Sequence, residues 1–408
     1  MNKILAALGM DGGAGESWLE NWPLSEPSFT PENLFFLNAD YVADACRTLK
    51  IHDEVAQAFQ ETLPAFKNNP ALQRLAWHCH YLLFQSSKDH AANIGSWPLV
   101  PKVDMFYAIV FLSGLRHVME IHRKLGIPEA ITLDTLSDLQ LWIYENRKRH
   151  GAWGFKEKSW LVHHFLGKLF KLGRLQFLPG AFTHDFHVFR HNATGKKTIL
   201  AGENMSFRRD GQFDGADKIF GAEGKWTAKF GINDNHACGY PVSPYGKAMP
   251  EAIKLPLSDW REILKKNSPV LTIHIPATGP LLHPDCGASL KQALEFYPKY
   301  FPEYKFNAFT CESWLLDGQF ERQIPPSSNI VRFLMEFYLY PLPNADGKQT
   351  FERVFGKQIE NIKDAPQNTS LQRTVANYVL NGGHWRVGGG MLFPDDLKWG
   401  EQTYRKTV

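Results

Sequence analysis

The spacing of apolar residues changes near Gly173, and this change constrains the fold more than any other feature of the sequence. Before it, apolar side chains recur every three or four residues, which predicts amphipathic helices. After it, short alternating runs are separated by glycine and asparagine turns, as in strands joined by hairpins. The sequence therefore predicts an α+β protein, with an all-helical N-terminal domain over residues 1–168 and a mixed α/β C-terminal domain over residues 169–408. The clearest predicted helices cover residues 55–63, 72–85, 103–125 and 133–149.

Length, charge and cysteine content narrow the class of protein. The chain has 408 residues, and domains of about 100–200 residues are typical, so two or three are expected. The formal net charge is only +3, which argues against a nucleic-acid partner. The five cysteines are odd in number and have no CxxC spacing. This pattern indicates reduced thiols in the cytoplasm, without a disulfide framework or a structural zinc site.

The hydrophobic segments predict a soluble, cytoplasmic protein with no membrane partner. The apolar run at the N-terminus ends at Met10, and no small-residue cleavage site follows, so a signal peptide is not expected. The most apolar helix candidate, residues 105–115, is far shorter than the ~20 residues that a membrane span requires. It is also interrupted by Ser113 and Gly114.

A strand, a glycine-containing loop, a helix and a second strand are predicted in succession after residue 269. The strand covers residues 270–276, the loop 277–289, the helix 289–297 and the second strand 306–311. Glycines allow a ligand to approach the backbone closely, and N–H groups at a helix start can bind phosphate oxygens. We therefore expect an anion site at this loop. The alternative is an ordinary turn that binds nothing.

Four residues on these two strands could carry chemistry, namely His274, Cys311, Glu312 and Ser313. Strand alternation puts Cys311 and Ser313 on one face of the second strand and Glu312 on the other. If the strands are neighbours, His274 could reach Cys311 or Ser313, and a Cys–His pair would form a nucleophile. Alternatively, His274 or Glu312 could act as a general base towards an amine. A buried structural cysteine is an equally good interpretation of Cys311.

A group of histidines near residue 187 has the density of a metal site but not its spacing. His184, His187 and His191 surround Asp185 within a predicted hairpin. No zinc-ligand spacing is present. We therefore expect solvated histidines and no metal.

Several short motifs occur in a fixed order between about residues 40 and 390. They resemble those of a bacterial family of acyltransferases, in which a helical N-acyltransferase N-terminal domain precedes a GNAT-like C-terminal domain. The resemblance adds the GNAT-like topology to the predicted C-terminal domain. The motifs are residues 172–177, 209–211, 226–227, 239–246, 274–276, 279–281, 311–317, 328–333 and 369–373.

The resemblance implies a central sheet that splays between strands 270–276 and 306–311, with acyl-CoA or acetyl-CoA as co-substrate in the splay. No metal is implied. The usual pyrophosphate signature of the superfamily, Gln/Arg-x-x-Gly-x-Gly/Ala, is absent, because Gly279 and Gly287 stand eight residues apart. The expected contacts to CoA are Ile275, Gly279, Pro280, Leu281, Gly287, Ala288 and Ser289.

The predicted function is that of an enzyme which transfers an acyl group from acyl-CoA to an amine or hydroxyl of a small molecule or peptide. One alternative is an acyl-enzyme or hydrolase that uses Cys311 and His274 without CoA. The other is a non-catalytic binding protein that has a GNAT-like fold, since a fold does not determine a function.

Overall fold

The computed structural model describes residues 2–10 and 21–406. The chain divides into two compact units. The first comprises Met1–Leu172 together with Pro276–Thr278, and the second comprises Gly173–Ile275 together with Gly279–Val408. In the described residues, helices dominate the N-terminal region, and mixed sheets and helices form the rest. The predicted α+β class is therefore confirmed.

The first unit is built around a helix whose every residue is buried, Phe106–Ser113. A helix that is apolar all round belongs in the middle of a bundle. Its neighbours pack aromatic rings around it. The helices of this unit are α1 Asn2–Ala7, α2 Ala39–Thr48, α3 Asp53–Thr62, α4 Pro64–Lys67, α5 Pro70–Phe84, α6 Phe106–Ser113, α7 Leu115–Lys124, α8 Glu129–Leu136, α9 Asp138–His150 and α10 Lys158–Phe165, followed by strand β1 Phe170–Leu172.

Two helices predicted as continuous are each divided in two. The run 103–125 becomes α6 and α7, which meet at Gly114. A Cβ on Gly114 would lie 2.3 Å from the Phe84 ring, so the chain can pack there only without a side chain. The run 133–149 is divided between α8 and α9 at Ser137. Apolar periodicity alone does not show such breaks, because the pattern continues across them.

The second unit contains a main sheet, three smaller sheets and five helices among the described residues. The strands are β2 Leu175–Ala181, β3 Phe186–His191, β4 Lys197–Ala201, β5 Ser206–Phe207, β6 Trp226–Thr227, β7 Gly231–Ile232, β8 His236–Gly239, β9 Pro241–Ser243, β10 Lys247–Ala248, β11 Ile253–Pro256, β12 Trp260–Leu264, β13 Pro269–His274, β14 Ala308–Ser313, β15 Tyr338–Tyr340 and β16 Gly388–Leu392. The helices are α11 His283–Tyr300, α12 Phe320–Gln323, α13 Asn329–Leu334, α14 Lys348–Phe355 and α15 Ser370–Leu380.

In this unit the main sheet has the strand order β2-β13-β14-β16-β15. Strands β13 and β14 are parallel, and the other neighbours are antiparallel. Helix α11 connects the parallel pair, as a parallel connection requires. Residues 186–264, between β2 and β13, form the smaller sheets; the largest of these has the order β10-β9-β4-β3-β12.

Strands β13 and β14 separate before either strand ends. Their pairing stops at Thr272↔Thr310. Beyond this point β13 remains paired with β2 as far as His274↔Gln176, and β14 remains paired with β16 as far as Ser313↔Gly388. Each strand therefore keeps its outer neighbour and loses its inner one. The main sheet opens here, at the place where the sequence resemblance implied a splay.

Three consecutive glycines, a run typical of turns, form the first half of β16. A Cβ on Gly389 would lie 2.3 Å from the ring of Tyr340, and one on Gly388 would lie 2.1 Å from the carbonyl oxygen of Leu316. Glycines are thus required here because neighbouring groups approach the strand too closely to leave room for a side chain.

The Gly389→Ala substitution should destabilise the protein by about 1–3 kcal/mol, because the added methyl group displaces the buried Tyr340 ring. Urea unfolding measures this change in free energy. Gly231→Ala is the control, since nothing lies within 4 Å of a Cβ at that strand position. Equal stability of the two variants would contradict the proposed reason for the glycine.

Candidate active site

The register of the main sheet places His274 and Glu312 on the same face. Paired strand residues point to the same side of a sheet, and Thr272 is paired with Thr310. His274 and Glu312 each lie two residues further on, in strands that remain regularly paired on their outer sides. Alternation puts Cys311 on the opposite face, together with Phe309, whose ring contacts Phe177 at a centroid distance of 5.8 Å.

This geometry contradicts the predicted nucleophile pair of Cys311 and His274. Cys311 is only 1% exposed and belongs to the core. Burial raises the pKa of its thiol far above the ordinary value, and the charge of Glu312 acts in the same direction. A neutral, buried thiol is a poor nucleophile. Cys311 is therefore a packing residue, the alternative that the sequence had left open.

Ser313 is used locally. Its hydroxyl accepts a hydrogen bond from the backbone N–H of Leu315 at 3.2 Å, and so caps the short 3₁₀ turn that follows β14. The residue is 9% exposed. The described contact of Ser313 thus gives it a structural role, which is to cap the turn at the end of β14.

Glu312 forms a pair with a histidine from a distant part of the chain. Its Oε1 lies 2.7 Å from Nε2 of His184. The glutamate side chain is 46% exposed and the imidazole 14%. Because the pairing of β13 and β14 stops at Thr310, Glu312 lies on β14 beyond the last residue that is paired with β13.

Aromatic rings fix the orientation of His184. Its ring centroid lies 5.6 Å from those of Phe182 and Tyr340 and 6.4 Å from that of Phe186. Tyr340 is buried, and its hydroxyl has no hydrogen-bond partner among the described residues. Burial, followed by the charge of Glu312, raises the pKa of Tyr340 well above its ordinary value, so that the hydroxyl stays protonated.

Sequence reasoning treated His184 as a solvated histidine and did not connect it with Glu312. The two residues are 128 positions apart, so no local spacing could indicate the pair. The neighbouring histidines have other partners. Nδ1 of His187 lies 2.7 Å from Oε1 of Glu262, and His191 packs edge-on against Trp260. The part of the chain that the structure describes contains no group of three or more potential metal ligands.

The structure corrects the bounds of the predicted phosphate loop. Helix α11 begins at His283, not at Ser289, and continues through Pro298 to Tyr300. Gly287, Ala288 and Ser289 are therefore helical. Gly287 is buried, and a Cβ there would lie 2.4 Å from the Trp399 ring. Its lack of a side chain thus serves packing within the unit instead of an approach to phosphate.

Ser289 holds the start of β2 in place. Its hydroxyl accepts a hydrogen bond from the backbone N–H of Arg174 at 2.8 Å and donates one to the carbonyl of Asp285 at 2.9 Å. The residue is buried. Ala288 is exposed on the helix. Of the seven predicted CoA contacts, Ile275, Gly279, Pro280 and Leu281 thus remain in or beside the loop that precedes α11.

Arg174, in the turn directly before β2, binds this loop, and the sequence did not predict this contact. Its Nε donates to the carbonyl of Pro280 at 3.0 Å, and its Nη2 donates to that of Gly279 at 3.1 Å. Gly279 has a φ of +109°, which disfavours any side chain. The result is an exposed loop, fixed by a guanidinium, directly before a helix start. Helix starts favour anions, although Asp285 adds one negative charge to the first turn.

The first turn of α11 is itself held in place. Nε2 of the buried His283 lies 3.0 Å from Oε1 of Glu336, and the indole N–H of Trp399 donates to the carbonyl of His283 at 2.7 Å. The rings of His283 and Trp399 stack at 4.8 Å. These contacts give the helix start a defined position.

The strand order, the separated parallel pair and the helix between its members define a GNAT-like domain, which follows a helical domain. The family comparison agrees in both parts. The model described as GNAT-like C-terminal domain matches residues 169–392, and the model described as N-acyltransferase N-terminal domain matches residues 40–167. The chain belongs to this GNAT-like family.

Solved structures show the same fold. An acyltransferase in complex with decanoyl-CoA and teicoplanin is 22% identical, with a TM-score of 0.64 over 96% of this chain and 98% of that one. A mutant acyltransferase in complex with octanoyl-CoA is 23% identical, with the same TM-score and coverage. A third, in complex with CoA and 10C-teicoplanin, is 22% identical with a TM-score of 0.63 over 96% and 98% of the two chains. Among curated proteins, none matches the chain.

None of the helices in residues 2–10 and 21–406 combines the length and the apolar character that crossing a bilayer requires.

Iodoacetamide at neutral pH should modify Cys238 and leave Cys311 intact in the folded protein, because Cys238 is partly exposed and Cys311 is buried as a neutral thiol. Peptide mass spectrometry after a timed reaction measures both sites. The same reaction in urea, where both thiols should react, is the control. Rapid native modification of Cys311 would restore it as a candidate nucleophile.

Proposed function

We propose that this protein is an acyltransferase that moves an acyl group from an acyl-CoA to an amine or hydroxyl of a small-molecule or peptide acceptor. The observation that carries the proposal is the opening between β13 and β14, with Glu312 on the unpaired part of β14 and His184 bound to it. A parallel pair that separates leaves backbone N–H and C=O groups of both strands facing the gap, and buried backbone groups require partners. The fold neighbours bound to decanoyl-CoA and octanoyl-CoA support the same assignment.

The groups near the opening are suited to bind the pantetheine arm and the phosphates of an acyl-CoA. The amide groups of the pantetheine arm can pair with strand edges, as peptides do when they extend a sheet. The start of α11, with Arg174 and the loop of Gly279, Pro280 and Leu281 beside it, suits the phosphates. Ile275 directly follows β13 and borders the gap. No metal enters this assignment.

His184 and Glu312 can remove the proton from an acceptor amine. If the imidazole donates its Nε2–H to Glu312, the lone pair on Nδ1 is available as the base. The carboxylate then fixes the tautomer and stabilises the imidazolium that forms. Acyl-CoA supplies the thioester that the amine attacks. His274, on the same face of the sheet, remains a second candidate for this role, and substitution distinguishes the two.

The cellular setting and the domain division belong to the same proposal. None of the five cysteines, each within the described residues, forms a disulfide, which suits a cytoplasmic protein. We assign residues 1–168 to a helical domain and residues 169–408 to the acyltransferase domain. The alternative of a non-catalytic binding protein stays open to the tests below, since such a protein would bind acyl-CoA without turnover.

Acyl-CoA should stabilise the fold. At about 100 times its dissociation constant, a ligand adds about 2.7 kcal/mol to the free energy of unfolding. Thermal unfolding with CoA thioesters from acetyl to decanoyl should therefore show a rise in Tm, with ATP as the anionic control. No rise with any thioester would refute the proposed co-substrate.

Glu312→Gln and His184→Gln should each lower kcat by about 10²–10⁴-fold, the usual effect of losing a general base. The double variant should lose little more, because the two residues act as a unit. Release of CoA thiol with a panel of primary amines measures turnover, and the exposed Glu303→Gln is the control. If both single variants keep full activity and His274→Gln loses it, the base is His274.

A further inference from the structure

A cavity of about 410 Å³ lies within the second unit, beside β15 and the first residue of β16. Gly388, the strand partner of Ser313, is part of its wall, and so is Tyr340, whose ring contacts His184. The cavity therefore begins close to the proposed base. Its volume falls within the range of about 300–1,000 Å³ that is typical of small-molecule sites. The mechanism described above does not use it.

The deepest polar group of this wall is Asp317. The residue is 5% exposed, and its carboxylate accepts only backbone N–H groups, that of Arg386 at 2.7 Å and that of Gln319 at 3.0 Å. Within the described residues Asp317 forms no ion pair. Burial raises its pKa to about 6, which still leaves it ionised for the most part at neutral pH. A buried carboxylate without a cation is costly, so a cation at this position would be strongly bound.

The neighbouring guanidinium of Arg386 acts on Asp317 without pairing with it, because it is bound to other carboxylates. Nε of Arg386 lies 2.6 Å from Oδ2 of Asp217, and its Nη2 lies 3.8 Å from Asp210. Arg208 bridges the same two carboxylates at 3.0 and 3.5 Å. This cluster holds three carboxylates against two guanidiniums. Among these three carboxylates, Asp317 is the one that has no ion pair within the described residues.

The rest of the wall suits a polar organic molecule. Gln212, Gln319 and Ser243 offer neutral hydrogen-bonding groups, and Tyr245 and Met249, 38% and 41% exposed, offer apolar surface. Glu321 is already paired with Arg405 at 2.8 Å. The wall has three basic residues. Arg386 is buried and paired with Asp217, whereas Lys247 and Arg322 are more exposed than Asp317.

We propose that this cavity is the acceptor subsite, and that it binds a small molecule through a protonated amine held against Asp317. The inference rests on the proposed acyl transfer and adds to it the chemical class of the acceptor, an organic cation. A protonated amine is not nucleophilic, so the bound ammonium positions the acceptor while a second, neutral amine or hydroxyl is acylated. Two motifs noted in the sequence meet at this site, with Gly246 from one and Leu316 and Asp317 from the other.

The test compares a diamine with its neutral isostere on the full chain. Binding of 1,4-diaminobutane and of 1,4-butanediol is measured by saturation-transfer NMR titration. The diamine should bind and the diol should not. Asp317→Asn should weaken diamine binding about 10- to 100-fold, the effect of losing a hydrogen bond to a charged group. Glu303→Gln, an exposed carboxylate outside the cavity, should leave it unchanged.

Met249→Trp tests the same site without altering its charge. The residue is exposed at the cavity wall, so a larger side chain can fill the space while Asp317 and its backbone partners stay intact. Diamine binding should again be lost. This variant keeps the test informative if Asp317→Asn fails to fold. Equal binding of diol and diamine, or full diamine affinity in either folded variant, would overturn the proposal.

The shift in Tm with acyl-CoA separates this inference from the proposed function. Both cavity variants should keep the full shift, because neither residue borders the loop before α11. If wild-type protein binds the diamine through Asp317 but no CoA thioester, the acyltransferase assignment fails while the cation site stands. If CoA thioesters bind but diamine binding does not depend on Asp317, the proposed acceptor subsite is refuted and the acyltransferase proposal stands.

Discussion

The loss of pairing between β13 and β14 after Thr272 and Thr310 is the constraint on which the candidate site depends. A regular sheet would use the backbone groups of both strands for each other and leave none for a ligand. Here each strand keeps only its outer neighbour, β2 or β16. The inner edges cannot remain buried without partners. The unpaired backbone groups of β13 and β14 therefore favour a ligand that can form hydrogen bonds with them, whatever the side chains are.

Strand alternation then places core residues on one face of β14 and the candidate catalytic residue on the other. Cys311 points into the core, where burial makes its thiol inert. Glu312, the next residue, points to the other face and reaches His184. A one-residue change of register would exchange these positions and bury the carboxylate. The glycines of β16 support the same arrangement, because Gly389 leaves space for the Tyr340 ring, which contacts His184.

The sequence predicted those features that depend on local periodicity. The α+β class and the order of β13, α11 and β14 follow from the spacing of apolar residues. The start of α11 was missed because Pro284, Asp285 and Gly287 were read as loop residues. Proline is in fact favoured in a first helical turn, and Gly287 is needed there for Trp399, a contact more than 100 residues away. The His184–Glu312 pair and the hold of Arg174 on the loop are likewise long-range. No local pattern encodes such contacts.

Glu312 and Asp317, two carboxylates at this end of the sheet, differ in the groups that bind them. Glu312 is bound by an imidazole and Asp317 by backbone N–H groups, and this difference suits them to different roles. Glu312 is 46% exposed and lies beside His184, so its negative charge can stabilise the imidazolium when His184 accepts a proton. Asp317 is buried and held by two backbone donors, which fix its position but neutralise nothing. A group with a titratable partner is suited to proton transfer. A fixed carboxylate that has no ion pair is suited to the recognition of a cation, because it offers a charge-assisted hydrogen bond at a defined position. Glu312 of the candidate catalytic pair and the candidate specificity determinant Asp317 are thus five positions apart, and the short turn capped by Ser313 lies between them.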